Sequence, residues 1–200
     1  MALRQIRQLG DDILQKKAKP VQVFDSVLHR LIDDMWETCR ESDGLGMAAP
    51  QVGILRRIVV IEMEEEDISY ELINPVIVEF SGNEVKTEAC LSVPNKQGDV
   101  ERPFYIKIET FDRHGEPYII EAEDLLAAAL CHEIDHLDGI LFLDKATKIQ
   151  DRVDEEDDRR GRRGKKDKKD KNGKKVTKGG KRDVKKQNPK LQSGKRAAGR

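Results

Sequence analysis

The feature that most limits how this chain can fold is a break in composition near residue 158. Residues 1–158 carry 17 basic and 35 acidic side chains, a net of −18, and alternate apolar runs with turn residues. Residues 159–200 carry 20 basic and 3 acidic side chains, a net of +17, with almost no large apolar residue. The overall net charge of −1 therefore describes neither part. A Lys- and Gly-rich segment cannot bury enough apolar surface to offset the entropy of ordering it. We expect one folded domain over residues 1–158, a linker within 148–158, and a disordered basic tail over residues 159–200.

No apolar run approaches the length needed to span a bilayer, and the first residues lack the apolar stretch of a signal peptide. Three cysteines are an odd count and make no disulfide framework. The chain reads as cytoplasmic, with reduced thiols and no membrane partner. Each cysteine is then core filler, metal ligand or nucleophile.

Within the domain, Val27, Leu28, Leu31, Ile32 and Met35 recur at helical spacing. Asp25 or Ser26 can cap that helix, which we place over residues 25–41, and Asp43-Gly44 ends it. Short strand-like runs follow at residues 57–62, 71–80, 87–92, 105–112 and 118–121. Ile106, Ile108 and Thr110 alternate with Lys107 and Glu109, the pattern of a half-buried strand. A second helix is expected over residues 124–138, with Gly139 as its left-handed stop. The expected fold is α+β, with mostly antiparallel strands packed around a central helix, plus the N-terminal helix.

That second helix carries His132-Glu133-Ile134-Asp135-His136. Histidines at i and i+4 lie one turn apart on one face, so both imidazoles can reach one ion. Glu133 can reach a water on the open side of that ion without ligating it. Leu126, Leu130, Ile134 and Leu137 occupy another face and can pack the helix into the core. The competing reading is a chance pair of solvated histidines. Asp135 and Asp138 read as solvated, or as hydrogen-bonding neighbours that fix a histidine tautomer. A catalytic ion needs a third protein ligand and an open position, and Cys90, at a strand end entering a turn, is the best candidate. A buried structural thiol is the alternative there, and it suits Cys39 and Cys131 better. Cys131 sits about 100° around the helix from His132 and would not aim at the same ion.

Three segments taken together carry a resemblance. Gly44-Leu45-Gly46-Met47-Ala48-Ala49-Pro50-Gln51, Glu88-Ala89-Cys90-Leu91-Ser92 and His132-Glu133-Ile134-Asp135-His136-Leu137-Asp138-Gly139 resemble, in order and spacing, the signature motifs of peptide deformylases. The likeness covers roughly residues 3–145, and an ordered triple is far more specific than any one motif. Met47 stands where the family usually has Leu, a volume-conserving exchange. Ala89 stands where it usually has Gly, which implies an extended backbone there, since Ala at positive φ is strained.

The resemblance implies a metal-dependent hydrolase that removes the formyl group from N-formyl-methionyl nascent peptides. It implies that Cys90, His132 and His136 hold one divalent ion, Fe²⁺ in the cell with Zn²⁺ or Ni²⁺ as substitutes. Glu133 would be the general acid/base. Gln51 and the backbone N–H of Leu91 would donate to the formyl oxygen, and Gly46 would let peptide pass close to the backbone. Leu125 and Ala129, with Ala128 a weaker candidate, would line the methionine pocket.

Two other readings compete. A zinc endopeptidase would take a Glu about twenty residues downstream as third ligand. Glu156 has that spacing but sits in an acidic run. An RNA-binding protein would use the tail, which lacks aromatic residues for stacking but can seek phosphates. Beside a deformylase, the same tail can hold the enzyme near ribosomal RNA.

Overall fold

The fold is described from a computed structural model, in which residues 2–63 and 68–152 are defined. Two helices and eight strands make up these residues, with short 3-10 turns between them. Strand β1 spans Gly46–Ala48, β2 Ile58–Met63, β3 Ile68–Ser81, β6 Tyr105–Phe111 and β7 Pro117–Glu123. These form an antiparallel sheet in the order β1-β2-β3-β6-β7. Strands β4 (Glu84–Cys90), β5 (Val93–Arg102) and β8 (Thr147–Asp151) form a second antiparallel sheet in the order β4-β5-β8. Helix α1 is Ser26–Glu41 and α2 is Asp124–Leu137. The class is α+β, as expected.

Strand β2 shows why the larger sheet lies between the two helices. Its run Ile58-Val59-Val60-Ile61 is completely buried. Side chains alternate along a strand. Val59 and Ile61 accordingly join the core under α2, with Leu126, Leu130 and Ile134. Ile58 and Val60 join the core under α1, with Leu28, Ile32 and Met35. Burying a side chain of this size stabilises by roughly 1.5–3 kcal/mol, so the continuous apolar run is the anchor of both layers. A third cluster, Leu14, Val93, Val100, Leu141 and Phe142, lies against the smaller sheet.

Helix ends follow the local chemistry. Asp25 caps α1 by accepting from the N–H groups of Val27 and Leu28 at 2.9 and 3.0 Å. Gly139 follows α2 at φ +75°, and a Cβ there would sit 2.6 Å from the carbonyl oxygen of Gln15. Both the left-handed turn and the close approach require glycine.

Three strands, β1, β5 and β8, go beyond the sequence reading. The single strand expected over 87–92 is the end of β4 and a turn at 91–92, and a long β5 follows from Val93. Pro94, Gly98 and a left-handed Asn95 (φ +61°) hide β5 from any strand pattern. β8 occupies 147–151, overlapping the span assigned to the linker, where Lys96 and Gln97 of β5 pair with Asp151 and Gln150. The boundary at 158 and the basic tail lie outside the described residues. No helix among the described residues is long and apolar enough to cross a membrane.

Candidate metal centre

Strand β4 and helix α2 meet at Cys90 and the two histidines of α2. Cys90 is the last residue of β4, where the pairing with β5 shifts register between Ala89 and Cys90. Ala89 is not among the positive-φ residues, so the strand is extended as its identity required. His132 and His136 face β4 from α2, with ring centroids 5.0 Å apart. One ligand atom each from Cys90, His132 and His136 lies within 4.8 Å of the other two. Cys90 Sγ is 3.2 Å from His136 Nε2. That spacing suits neighbouring ligands of one ion with bonds of roughly 2.0–2.3 Å.

The donors suit a divalent ion. His132 donates from Nδ1 to Glu88 Oε2 at 2.8 Å, which turns the lone pair of Nε2 toward the ligand cluster. A thiolate with two neutral imidazoles is a borderline-soft set. Burial pushes the His136 pKa down to about 3, whereas at His132 burial is outweighed by the contacts to Cys90 and Glu88, which raise its pKa to about 10, so an ion binding there must displace a proton from His132.

Glu133 is buried, and its Oε2 has no hydrogen-bond partner. Burial, aided by the nearby Glu88 charge, pushes its carboxyl up to about 7. Gly46 of β1 explains how Glu133 fits: a Cβ there would lie 3.0 Å from Glu133 Cγ and 3.1 Å from Oε1. The glycine thus makes room for the carboxylate.

Gln51 sits in the 3-10 turn Ala49–Val52 and is 1% exposed, so it is no surface amide. Its Oε1 accepts from the Ala48 N–H at 2.7 Å. That bond points Nε2 at Cys90, 3.6 Å from Sγ. Leu91 follows Cys90 in the turn, and the Ser92 N–H donates to Cys90 Sγ at 3.4 Å.

These groups open into a cleft of about 520 Å³, lined also by Leu45, Leu125, Ala128 and Ala129. All three sequence candidates for the side-chain pocket therefore border it, the weaker Ala128 included. A larger groove of about 1050 Å³ lies beside α1, lined by Arg4, Lys19, Val21, Leu28 and Ile58 among others. It contains no histidine or cysteine and none of the groups above.

Other candidates fall away from the centre. Cys39 and Cys131 are buried, and burial raises their thiols to about 12 and about 11. Asp135 is not solvated: it accepts from Arg102 and Lys145. Asp138 pairs with Arg57 at 2.8 Å. Glu156, the alternative third ligand, lies outside the described residues.

Residue-level reasoning missed Glu88 as a functional group and Arg102 altogether. Glu88 carried a usable signal, standing two residues before Cys90 and hence on the same strand face. Arg102 carried none.

The model of the polypeptide deformylase family matches residues 3–152. The chain belongs to the polypeptide deformylase family. Peptide deformylase 1 of Clostridium acetobutylicum is 54% identical over 145 residues, covering 72% of this chain and 95% of that one. A crystal structure of a peptide deformylase from Legionella pneumophila matches with a TM-score of 0.71 at 37% identity, covering 86% of this chain and 100% of that one. A Met-Ala-Ser-bound peptide deformylase from Acinetobacter baumannii matches with a TM-score of 0.68 at 33% identity, covering 72% and 98%. As a deformylase, this chain is a metal-dependent hydrolase that removes the N-formyl group from nascent polypeptides.

Proposed function

We propose that Cys90, His132 and His136 hold the catalytic ion of this deformylase, with Glu133 as proton carrier and Gln51 and Leu91 as oxyanion donors. The observation that carries this reading is the convergence of three ligand atoms within 4.8 Å beside the buried, partnerless Oε2 of Glu133. An ion bound there supplies a Lewis acid and a water of lowered pKa. Glu133 takes the proton of the attacking water as its oxygen bonds to the formyl carbon. Gln51 Nε2–H and Leu91 N–H donate to the oxyanion that forms. The C–N bond breaks, Glu133 returns the proton to the amine nitrogen, and formate leaves.

Leu125, Ala128 and Ala129 hold the methionine side chain in the cleft, and Gly46 lets the peptide approach β1. The Met-Ala-Ser bound to the Acinetobacter relative supports that choice of first residue. The ion is Fe²⁺ in the cell, with Zn²⁺ or Ni²⁺ as substitutes, because one thiolate with two imidazoles suits all three. The protein works in the cytoplasm. Residues 1–158 form the catalytic domain, and residues 159–200, with a net charge of +17, tether it to ribosomal RNA. The opposite charges of the two parts support the tether, since the domain at −18 would be repelled by RNA on its own.

Formate release from formyl-Met-Ala-Ser by anaerobically prepared, ion-loaded protein tests the centre. We expect turnover that metal-free protein and a Cys90→Ser variant lack; full turnover by Cys90→Ser would remove the thiolate from the ligand set. Co-sedimentation with ribosomes at rising salt tests the tether, which should fail in a chain ending at Asp158.

A further inference from the structure

Arg102, the last residue of β5, is almost wholly buried, with 3% of its side chain exposed. Its Nε and Nη2 donate to the two oxygens of Glu88 at 2.6 and 3.0 Å. Its Nη1 donates to Asp135 Oδ2 at 2.6 Å. Asp135 also accepts from Lys145 Nζ at 2.6 and 2.7 Å. Glu88 Oε2, shared by Arg102 and His132 Nδ1, closes the run. Alternating charges thus lead from a half-exposed lysine to an imidazole of the centre.

The positions of the two carboxylates give this run its meaning. Glu88 lies two residues before Cys90 on β4, and Asp135 lies between His132 and His136 on α2. β4 is an edge strand, hydrogen-bonded in its sheet to β5 alone. α2 packs its apolar face on the other sheet. The spacing between thiol and imidazoles is therefore set by side chains, and Arg102 touches both partners.

We propose that Arg102 is a positioning residue that rivets β4 to α2, so the three ligands stand at the right separation before an ion arrives. A guanidinium suits this task because its planar fork binds one carboxylate through two donors and keeps a third donor for another. Lysine offers a single point of charge and cannot hold both carboxylates in one fixed geometry. Removing both arms would leave Glu88 with His132 alone and Asp135 with Lys145 alone, and would endanger the fold. Asp135→Asn is the gentler cut: it weakens the α2 arm and leaves the Arg102–Glu88 pair whole.

This inference rests on the ligand assignment above, and the experiment separates the two. Full-length protein is loaded with Zn²⁺, and its release to a chelator is timed for wild type, Arg102→Lys, Asp135→Asn and Cys90→Ser. We expect Arg102→Lys to release Zn²⁺ about 10–100-fold faster, as lost support of a ligating histidine does, and Asp135→Asn to fall between it and wild type. KM for formyl-Met-Ala-Ser should stay near the wild-type value while kcat falls at limiting metal, because Arg102 does not line the cleft. A thermal midpoint for metal-free Asp135→Asn near that of wild type distinguishes lost positioning from lost folding. Wild-type release rates in both Arg102→Lys and Asp135→Asn, with fast release from Cys90→Ser, would overturn the rivet alone. Wild-type release from Cys90→Ser would overturn the ligand assignment and the rivet with it.

Discussion

α1 and α2 are of similar length and bury different fractions of themselves. α1 buries six of sixteen residues, on one stripe, and leaves Val27 and Arg30 in water. α2 buries ten of fourteen, because its apolar face meets the large sheet while its opposite face meets β4 and the cleft. A one-sided helix needs only amphipathic spacing and a cap. A helix enclosed on two sides must find partners for each buried polar group, or leave it unpaired at a cost in stability. His132 has Glu88, whereas Glu133 Oε2 and His136 Nδ1 have no partner. The contrast separates residues that hold the fold from those the fold holds for chemistry.

Substitutions on the two faces of α2 should then have opposite signatures. On the cleft face, Glu133→Gln should lower kcat by about 10²–10⁴-fold with the ion retained, since an amide cannot accept the proton. It should not lower the melting temperature of the metal-free protein, because burial already disfavours the charged carboxylate. A large loss of stability, or wild-type turnover with metal intact, would erase the contrast. On the core face, Leu130→Ala should reduce stability by about 2–5 kcal/mol, read by denaturant unfolding, with kcat per folded molecule little changed. Ile32→Val on the buried stripe of α1 removes one methylene and should cost only about 0.5–1.5 kcal/mol, with no effect on metal content.

Two smaller effects sharpen the same comparison. Alkylation of folded, metal-stripped protein at neutral pH should label Cys90 and spare Cys39 and Cys131, whose thiols burial holds at about 12 and about 11. Peptide mass mapping that finds Cys131 labelled at the rate of Cys90 would show that α2 opens easily on its core side. The weakest effect concerns the cap of α1. The Leu28 N–H, with that of Val27, lowers the Asp25 carboxyl below its ordinary value of 3.8. A depressed folded-state value means stability that is present above 3.8 and lost as pH falls through the lowered value. Wild type should therefore melt slightly above Asp25→Asn at pH 6, and the gap should close on acidification; a constant gap would mean the charge contributes nothing.

Much of this protein is local and legible in its sequence. The period of Val27, Leu28, Leu31, Ile32 and Met35 marks α1, and Asp25 marks its start. The i, i+4 spacing of His132 and His136 places two imidazoles on one face of α2 by helix geometry alone. The order of the three signatures pointed to the family and, through it, to Cys90 and Gln51. β5 escaped because Pro94, Asn95 and Gly98 suppress strand propensity, and only pairing with β4 and β8 makes that segment a strand. Glu88 reaches His132 across 44 positions, and Arg102 reaches Asp135 across 33. No periodicity carries such pairings, because they exist only where two strands of the smaller sheet meet a helix. The same holds for Gly46, where the sequence suggested room for a peptide and the fold adds room for Glu133. Local spacing decided which groups could share a face; long-range packing decided which were buried, which were paired, and which were left without a partner.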